Sequence, residues 1–151
     1  MDKWNAVNDV LDFAIDREQE AADFYNELSG KVDKPWMKKI FADFAKEEMG
    51  HKAKIEGVKA GKKLLPAEKK VLDLKIGDYL VDIEITDDID YQGALMVAMK
   101  REKAAFRLYS DLSAQSDDEN VQALFAGLAQ EEAKHKLRFE VEYDEHFLTE
   151  N

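Results

Sequence analysis

Apolar residues recur at the three- and four-residue spacing typical of helices through most of the chain. Four periodic segments stand out, at residues 3–29, 34–60, 88–113 and 117–147. Only 7 glycines and 2 prolines interrupt the 151 residues, so few positions are available to break a helix. The pattern therefore predicts an all-α protein with four long helices.

Short polar segments separate the helices within each pair. Gly30 closes the first helix, where a left-handed C-cap is expected, and Pro35 falls in the first turn of the second. Residues 116–119 form a capping-box pattern at the start of the fourth helix. Only about four residues join each pair, which predicts two antiparallel hairpins. The longer crossover from Lys62 to Asp87 then gives a ferritin-like four-helix bundle.

The two halves of the chain repeat each other. A shift of 84 residues aligns Ala14, Arg17, Glu18, Ala21, Tyr25, Leu28 and Ser29 with Ala98, Arg101, Glu102, Ala105, Tyr109, Leu112 and Ser113. The same shift aligns Phe41, Ala42, Ala45, Glu47, Glu48, His51, Lys52 and Glu56 with Phe125, Ala126, Ala129, Glu131, Glu132, His135, Lys136 and Glu140. The repeat predicts two structurally equivalent hairpins related by a pseudo-twofold axis.

Each helix has one apolar seam, which in the first helix runs from Trp4 to Leu28, and every seam is interrupted at one level. The residues at that level are Glu18, Glu48, His51, Glu102, Glu132 and His135. Ionised carboxylates removed from water cost several kcal/mol each and repel one another. Two divalent cations would balance the charge of four glutamates. A buried network of protein groups alone is the alternative, and it leaves too much negative charge unpaired.

A glutamate and a histidine three residues apart lie on one helix face. Two such pairs, with one glutamate from each of the other two helices, form the ligand set of di-iron and di-manganese carboxylate bundles. Oxygen and imidazole ligands without sulfur suit iron, manganese or zinc. The positions predict bridging roles for Glu48 and Glu132, capping roles for Glu18 and Glu102, and nitrogen ligation by His51 and His135.

Two further pairs of residues lie near the expected ligands. Tyr25 and Tyr109 follow the capping glutamates by seven residues, so their hydroxyls can donate to a ligating carboxylate or a bridging oxygen. The alternative is a pair of core tyrosines whose hydroxyls bond elsewhere. Glu47 and Glu131 point about 100° away from the seams, which favours surface groups or outer hydrogen-bond partners over ligands.

The overall charge excludes several kinds of partner. The chain has 22 Lys and Arg against 33 Asp and Glu, a net charge of −11. Such a field repels nucleic acid and anionic membranes, so neither is expected as a partner. The chain has no cysteine, which excludes disulfides and thiolate-bound clusters. No segment reads as a leader peptide or membrane span, so we expect a cytoplasmic protein.

The segments around these residues resemble the rubrerythrin branch of the ferritin-like superfamily. The likeness is carried by Arg17–Tyr25, Glu47–Lys52, Arg101–Tyr109 and Glu131–Lys136. It implies one domain over residues 1–151 and a centre of two iron ions that reduces hydrogen peroxide or dioxygen in oxidative-stress defence. It also implies a homodimer. The family's metal ligands carry over to Glu18, Glu48, His51, Glu102, Glu132 and His135.

The chain departs from that pattern in two respects. Without cysteine it has no rubredoxin module, so the resemblance implies an external electron donor, either a rubredoxin-like protein or a flavoprotein reductase. Ala105 stands where typical rubrerythrins have an additional glutamate, which brings the ligand set closer to that of bacterioferritins. Two alternatives to a peroxide or oxygen reductase stay open: a ferroxidase that handles iron, and a bundle that zinc or manganese only stabilises.

Overall fold

Four helices form the body of the computed structural model, which describes residues 3–4, 7–61, 72–73 and 85–148. The helices are α1 (Val7–Lys31), α2 (Pro35–Gly61), α3 (Tyr91–Gln115) and α4 (Glu119–Tyr143). A single π-helical turn, Asp144–Leu148, continues α4. The predicted all-α class and the four helices are confirmed, and each observed boundary lies within about four residues of the expected one.

A short pair of strands lies outside the helices. β1 (Lys3–Trp4) pairs antiparallel with β2 (Leu72–Asp73), so that Trp4 is opposite Leu72. The expectation that the first helix begins near residue 3 is therefore wrong, because backbone pairing with a distant segment holds these residues extended. Residues 62–71 and 74–84, most of the predicted crossover, lie outside the described residues.

Two expected helix ends are also corrected. Gly30 has no left-handed conformation, and α1 continues to Lys31 because the amide of Val32 still donates to the carbonyl of Leu28 at 3.1 Å. Val32 follows the helix directly and is buried, so this short extension places an apolar side chain in the core. At the start of α4 the capping residue is Asp118, whose carboxylate accepts from two amides of the first turn.

The helices pack as two hairpins. α1 lies along α2 and α3 lies along α4, while the hairpins meet through α1 with α3 and α2 with α4. The apolar side chains form two separate clusters. One cluster is centred on residues such as Leu11, Ile55 and Phe125, and the other includes Phe41 and Phe139. The predicted polar layer lies between these clusters.

The sequence repeat is preserved in the contacts. Ser29 Oγ donates to the carbonyl of Lys38 at 2.8 Å, and Ser113 Oγ donates to the carbonyl of Gln122 at 2.8 Å. The Tyr25 ring stacks on Phe41, and their repeat equivalents Tyr109 and Phe125 also stack, with interplanar angles of 12° and 13°. Both hairpins are therefore closed by the same interactions.

Among the described residues, no helix is both long enough and apolar enough to cross a membrane.

The N-cap of α3 gives a test of the helix boundary. Asp90 accepts a hydrogen bond from the amide of Gly93 at 2.8 Å. Replacing Asp90 with alanine should lower the free energy of unfolding by about 1 kcal/mol, because this amide loses its partner. Asp88→Ala removes the same charge from an exposed position two residues earlier and should change stability by less than about 0.5 kcal/mol. Urea unfolding measures both, and equal losses would contradict the assigned cap.

Candidate metal centre

The six side chains singled out from the sequence meet in the middle of the bundle. α1 and α3 contribute Glu18 and Glu102, while α2 and α4 each contribute a glutamate and a histidine. Each of the four carboxylate residues is only 1% exposed, and both histidines are buried. The residues that the sequence predicted to converge therefore do converge, between the two apolar clusters.

The six donors form two overlapping groups, and the atoms within each group lie within 4.8 Å of one another. Glu131 forms a third group with His51 and His135. The first group contains Glu18, Glu48, His51 and Glu132, and the second contains Glu48, Glu102, Glu132 and His135. The two glutamates shared by both groups are the ones expected to bridge two ions. The other residues divide equally, with one glutamate and one histidine on each side.

One atom of each of these side chains is buried with no hydrogen-bond partner among the described residues. These atoms are Oε1 of Glu18, Glu48, Glu102 and Glu132, and Nδ1 of His51 and His135. His51 Nδ1 is 3.0 Å from Glu48 Oε1, yet the two atoms are not aligned as a hydrogen bond. Such orphaned polar atoms are rare in folded proteins and costly. Their convergence fits a metal site.

The pKa values show how unfavourable this layer is for bare carboxylates. Burial raises the pKa of Glu48 to about 8, and the charges of Glu102 and Glu18 add to the increase. Burial and the same neighbours raise the pKa of Glu132 well above its ordinary value. Burial alone would lower the pKa of His51, but its contacts with Glu18 and Glu48 raise it to about 10. Without a cation, the layer therefore retains protons that bound metal would displace.

Two tyrosines form hydrogen bonds to the capping glutamates across the gap between α1 and α3. The Tyr25 hydroxyl donates to Oε2 of Glu102, and the Tyr109 hydroxyl donates to Oε2 of Glu18. Each tyrosine follows the glutamate of its own helix by seven residues, about 10 Å of helix rise, so bonding to the glutamate of the facing helix requires α1 and α3 to run antiparallel. Burial raises the pKa of both phenols well above 10, which keeps them protonated as donors. Of the two alternatives left open by the sequence, the structure shows the bond to the carboxylates.

Glu47 reaches from α2 to the histidine on α4. Its Oε1 lies 2.9 Å from Nε2 of His135. A proton on Nε2 donated to this carboxylate leaves the lone pair of Nδ1 facing the cluster, which is the tautomer a metal needs. The sequence left Glu47 between a surface group and an outer hydrogen-bond partner. The signals available in the sequence were its position next to a seam glutamate and its repetition at Glu131.

Comparison with known proteins agrees with this geometry. The family model Rubrerythrin matches residues 9–143. The chain belongs to the rubrerythrin family. A solved structure of a hypothetical protein from Pyrococcus furiosus is similar, with a TM-score of 0.66 and 25% identity over 92% of this chain and 89% of that chain. A search of curated proteins finds no match.

Membership of the rubrerythrin family and the buried cluster together indicate a metal site. The comparisons confirm the resemblance drawn from the paired Glu-x-x-His motifs. They match a family and a fold.

The stability of the metal-free protein should fall as the pH rises from about 6 to about 8. The pKa of Glu48 is raised from 4.5 to about 8, so the folded chain holds a proton in this interval that the unfolded chain has lost. The pKa of His51, raised from 6.5 to about 10, acts in the same direction above about pH 6.5. Deprotonation therefore favours unfolding. Urea unfolding in the presence of a chelator measures the effect.

The comparison variant is Glu48→Gln, whose neutral side chain removes one carboxyl group with a raised pKa and should flatten the pH profile. Saturation with a divalent metal should also flatten it, because the bound ion replaces the protons. A metal-free protein that gains stability over the same interval would contradict the assignment.

Glu47→Gln should weaken metal binding by about 10- to 100-fold, because the amide no longer fixes the tautomer of His135 as a carboxylate does. The matched control is Glu56→Gln, which removes the same charge from an exposed position on the same helix. Calorimetric titration with Zn²⁺, which undergoes no redox reaction, measures both affinities. Equal affinity in the two variants would show that Glu47 does not orient the histidine.

Proposed function

We propose that this protein is a non-haem di-iron oxidoreductase that reduces hydrogen peroxide or dioxygen and takes part in oxidative-stress defence. The observation that carries the proposal is the set of six unpartnered donor atoms, arranged in two groups that share Glu48 and Glu132. Membership of the rubrerythrin family supports the same chemistry.

The donor set favours two divalent transition-metal ions such as Fe(II). Four carboxylates and two imidazoles offer oxygen and nitrogen only, a mixture that suits iron and manganese and also accepts zinc. Two divalent ions would bring the charge of the layer to zero. In the proposal, Glu48 and Glu132 bridge the ions, and Glu18 with His51 and Glu102 with His135 complete the two sides.

A reduced di-iron centre supplies the two electrons that cleavage of the peroxide O–O bond consumes. The protein itself orients the ligating carboxylates and keeps bulk water away from the centre. Tyr25 and Tyr109 each hold one oxygen of a capping carboxylate and leave the other oxygen directed into the cluster. The Phe44 ring lies edge-on to His135 at 4.6 Å and belongs to the apolar cluster that keeps bulk water from one side of the layer.

The proposal includes two partners. Repeated turnover needs an external electron donor, such as a rubredoxin-like protein or a flavoprotein reductase, because the chain has no cysteine to hold an iron–sulfur centre. A homodimer is also part of the proposal and is checked by the mass of the protein in solution.

The test is to load the protein anaerobically with Fe(II) and to follow its oxidation by hydrogen peroxide and, separately, by dioxygen. We expect two Fe(II) ions to be oxidised per peroxide, since peroxide accepts two electrons. The double variant Glu48→Ala, Glu132→Ala lacks both shared ligands and serves as the control. Oxidation no faster than in this control would overturn the proposal.

Two further readouts separate the alternatives. Iron that stays bound through repeated cycles of oxidation and reduction supports a resident cofactor, whereas iron released after each oxidation supports a ferroxidase. Strong stabilisation by Zn²⁺ or Mn²⁺ without any reaction of the Fe(II)-loaded protein supports a structural metal site instead.

A further inference from the structure

A cavity of about 530 Å³ lies between α1 and α3 beside the carboxylate layer, in the space that the small side chains of Ala21 and Ala105 leave. Tyr25 forms part of its wall, and its hydroxyl donates to Glu102. A small oxidant that reaches the layer through this cavity therefore comes close to the Tyr25 phenol. Phenols and indoles are among the side chains that lose a single electron most readily.

Behind Tyr25, aromatic rings in contact lead from the layer to the surface. The Tyr25 ring stacks on Phe41 with 6.2 Å between the ring centres. Phe41 meets Tyr91 at 6.0 Å, and Tyr91 meets Trp36 at 5.3 Å. All three separations are typical of direct aromatic contact. Tyr25 and Phe41 are fully buried, whereas Trp36 is 42% exposed. These four residues form an aromatic row that is closed at the centre and open at the surface.

Packing of the repeat does not account for the outer part of this row. The inner pair of rings has a stacked counterpart in the other half of the chain. The outer pair has none, because the shift of 84 residues places Val7 and Asn120 where Tyr91 and Trp36 would stand. Neither valine nor asparagine loses an electron readily. The row therefore reaches the surface from one side of the centre only.

Both tyrosines of the row donate to a carboxylate. The Tyr91 hydroxyl donates to Glu142 Oε1 at 2.5 Å, as the Tyr25 hydroxyl donates to Glu102. A phenol that loses an electron becomes a strong acid, so a buried tyrosine is oxidised readily only where a base can accept its proton. Phe41 has no such proton and bridges the two phenols. Electron transfer slows steeply with distance, so two short steps are faster than one long step.

We propose that this aromatic row carries single oxidising equivalents from the metal centre to Trp36 at the surface. The inference rests on the proposed function, because hydrogen peroxide reduced at the centre is the oxidant. Peroxide needs two electrons, and a centre with one oxidisable ion supplies only one of them. The second electron comes from Tyr25, which Tyr91 then reduces, and Trp36 reduces Tyr91.

Electrons and protons balance in this sequence of steps. Hydrogen peroxide takes two electrons, one from Fe(II) and one from Trp36, and two protons from the medium to give two water molecules. Each phenol passes its proton to its carboxylate on oxidation and recovers it on reduction, so neither tyrosine changes in the net reaction. The oxidised indole of Trp36 loses its N–H proton to water and is left as a neutral radical. A soluble one-electron reductant can restore it there.

The experiment creates a centre that is one electron short. The protein is loaded anaerobically with a little Fe(II) in a large excess of Zn²⁺, so that nearly every iron ion has a neighbour that undergoes no redox reaction. Hydrogen peroxide should then produce a tryptophan radical, detected by electron paramagnetic resonance, and oxidation products at Trp36, located by mass spectrometry. Protein loaded with iron alone supplies both electrons and should give far less of either per iron oxidised. Metal-free protein with the same peroxide gives the baseline.

Variants at the outer end test the route. Tyr91→Phe keeps the ring but removes the oxidisable phenol, so oxidation of Trp36 per iron should fall at least about tenfold, the effect of about 1.4 kcal/mol on a barrier. Tyr143→Phe removes a phenol that packs at the same end of the bundle outside the row, and should not lower the yield. Trp36→Phe should leave the radical on a tyrosine. Equal oxidation of Trp36 in Tyr91→Phe and in the unchanged protein would overturn the proposal, since diffusing radicals would then be the cause.

The repeat provides a matched pair of variants at the inner end. Tyr25→Phe and Tyr109→Phe each remove one phenol bonded to a capping glutamate, so they disturb the centre in the same way. Only Tyr25→Phe interrupts the row and should lower the yield of oxidised Trp36 per iron. Equal yields in the two variants would contradict the assigned route.

The same samples separate this inference from the proposed function, because the absorbance of Fe(III) reports iron oxidation independently of Trp36. If peroxide does not oxidise the iron of the protein loaded with iron alone, the proposed function is overturned and this inference with it. If that iron is oxidised but the zinc-diluted protein shows no radical and no products at Trp36, only the aromatic route is overturned.

Discussion

Four carboxylates buried in one layer of an otherwise apolar bundle are the constraint on which the rest of this structure depends. Their removal from water, together with their mutual repulsion, raises the pKa of Glu48 and Glu132. The fold tolerates the layer because apolar clusters on both sides stabilise the helices independently of it. The layer can then be optimised for holding cations while the clusters maintain the fold.

Much of this arrangement was predictable from the sequence, because it depends on local periodicity and on the repeat. The heptad positions placed Glu18 and Glu102 on apolar seams, and the offset of 84 residues showed that the two histidine motifs are equivalent. Other features depend on how distant segments meet. The contact of Glu47 with His135 is set by the rotation of α2 relative to α4, which periodicity within one helix does not specify.

The two wrong predictions of helix ends also arise from contacts between distant segments. Trp4 continues the apolar pattern of α1, yet pairing with Leu72 holds it in a strand. Gly30 has the local character of a helix end, but burial of Val32 favours continuation of the helix to Lys31. In both cases a tertiary interaction outweighs a local preference worth about 1 kcal/mol. The cavity was equally inaccessible to sequence reasoning, since it is defined by the space that two alanines leave between α1 and α3.

The tyrosine hydroxyls have a consequence for how the molecule responds to its ligands. Tyr25 and Tyr109 line the cavity and are also bonded to Glu102 and Glu18 on the facing helix. α1 and α3 have few other direct contacts with each other. Rotation of either capping carboxylate would therefore have to move, or break its bond to, the phenol on the facing helix. Each tyrosine in this way couples the position of a candidate ligand to the packing of α1 against α3.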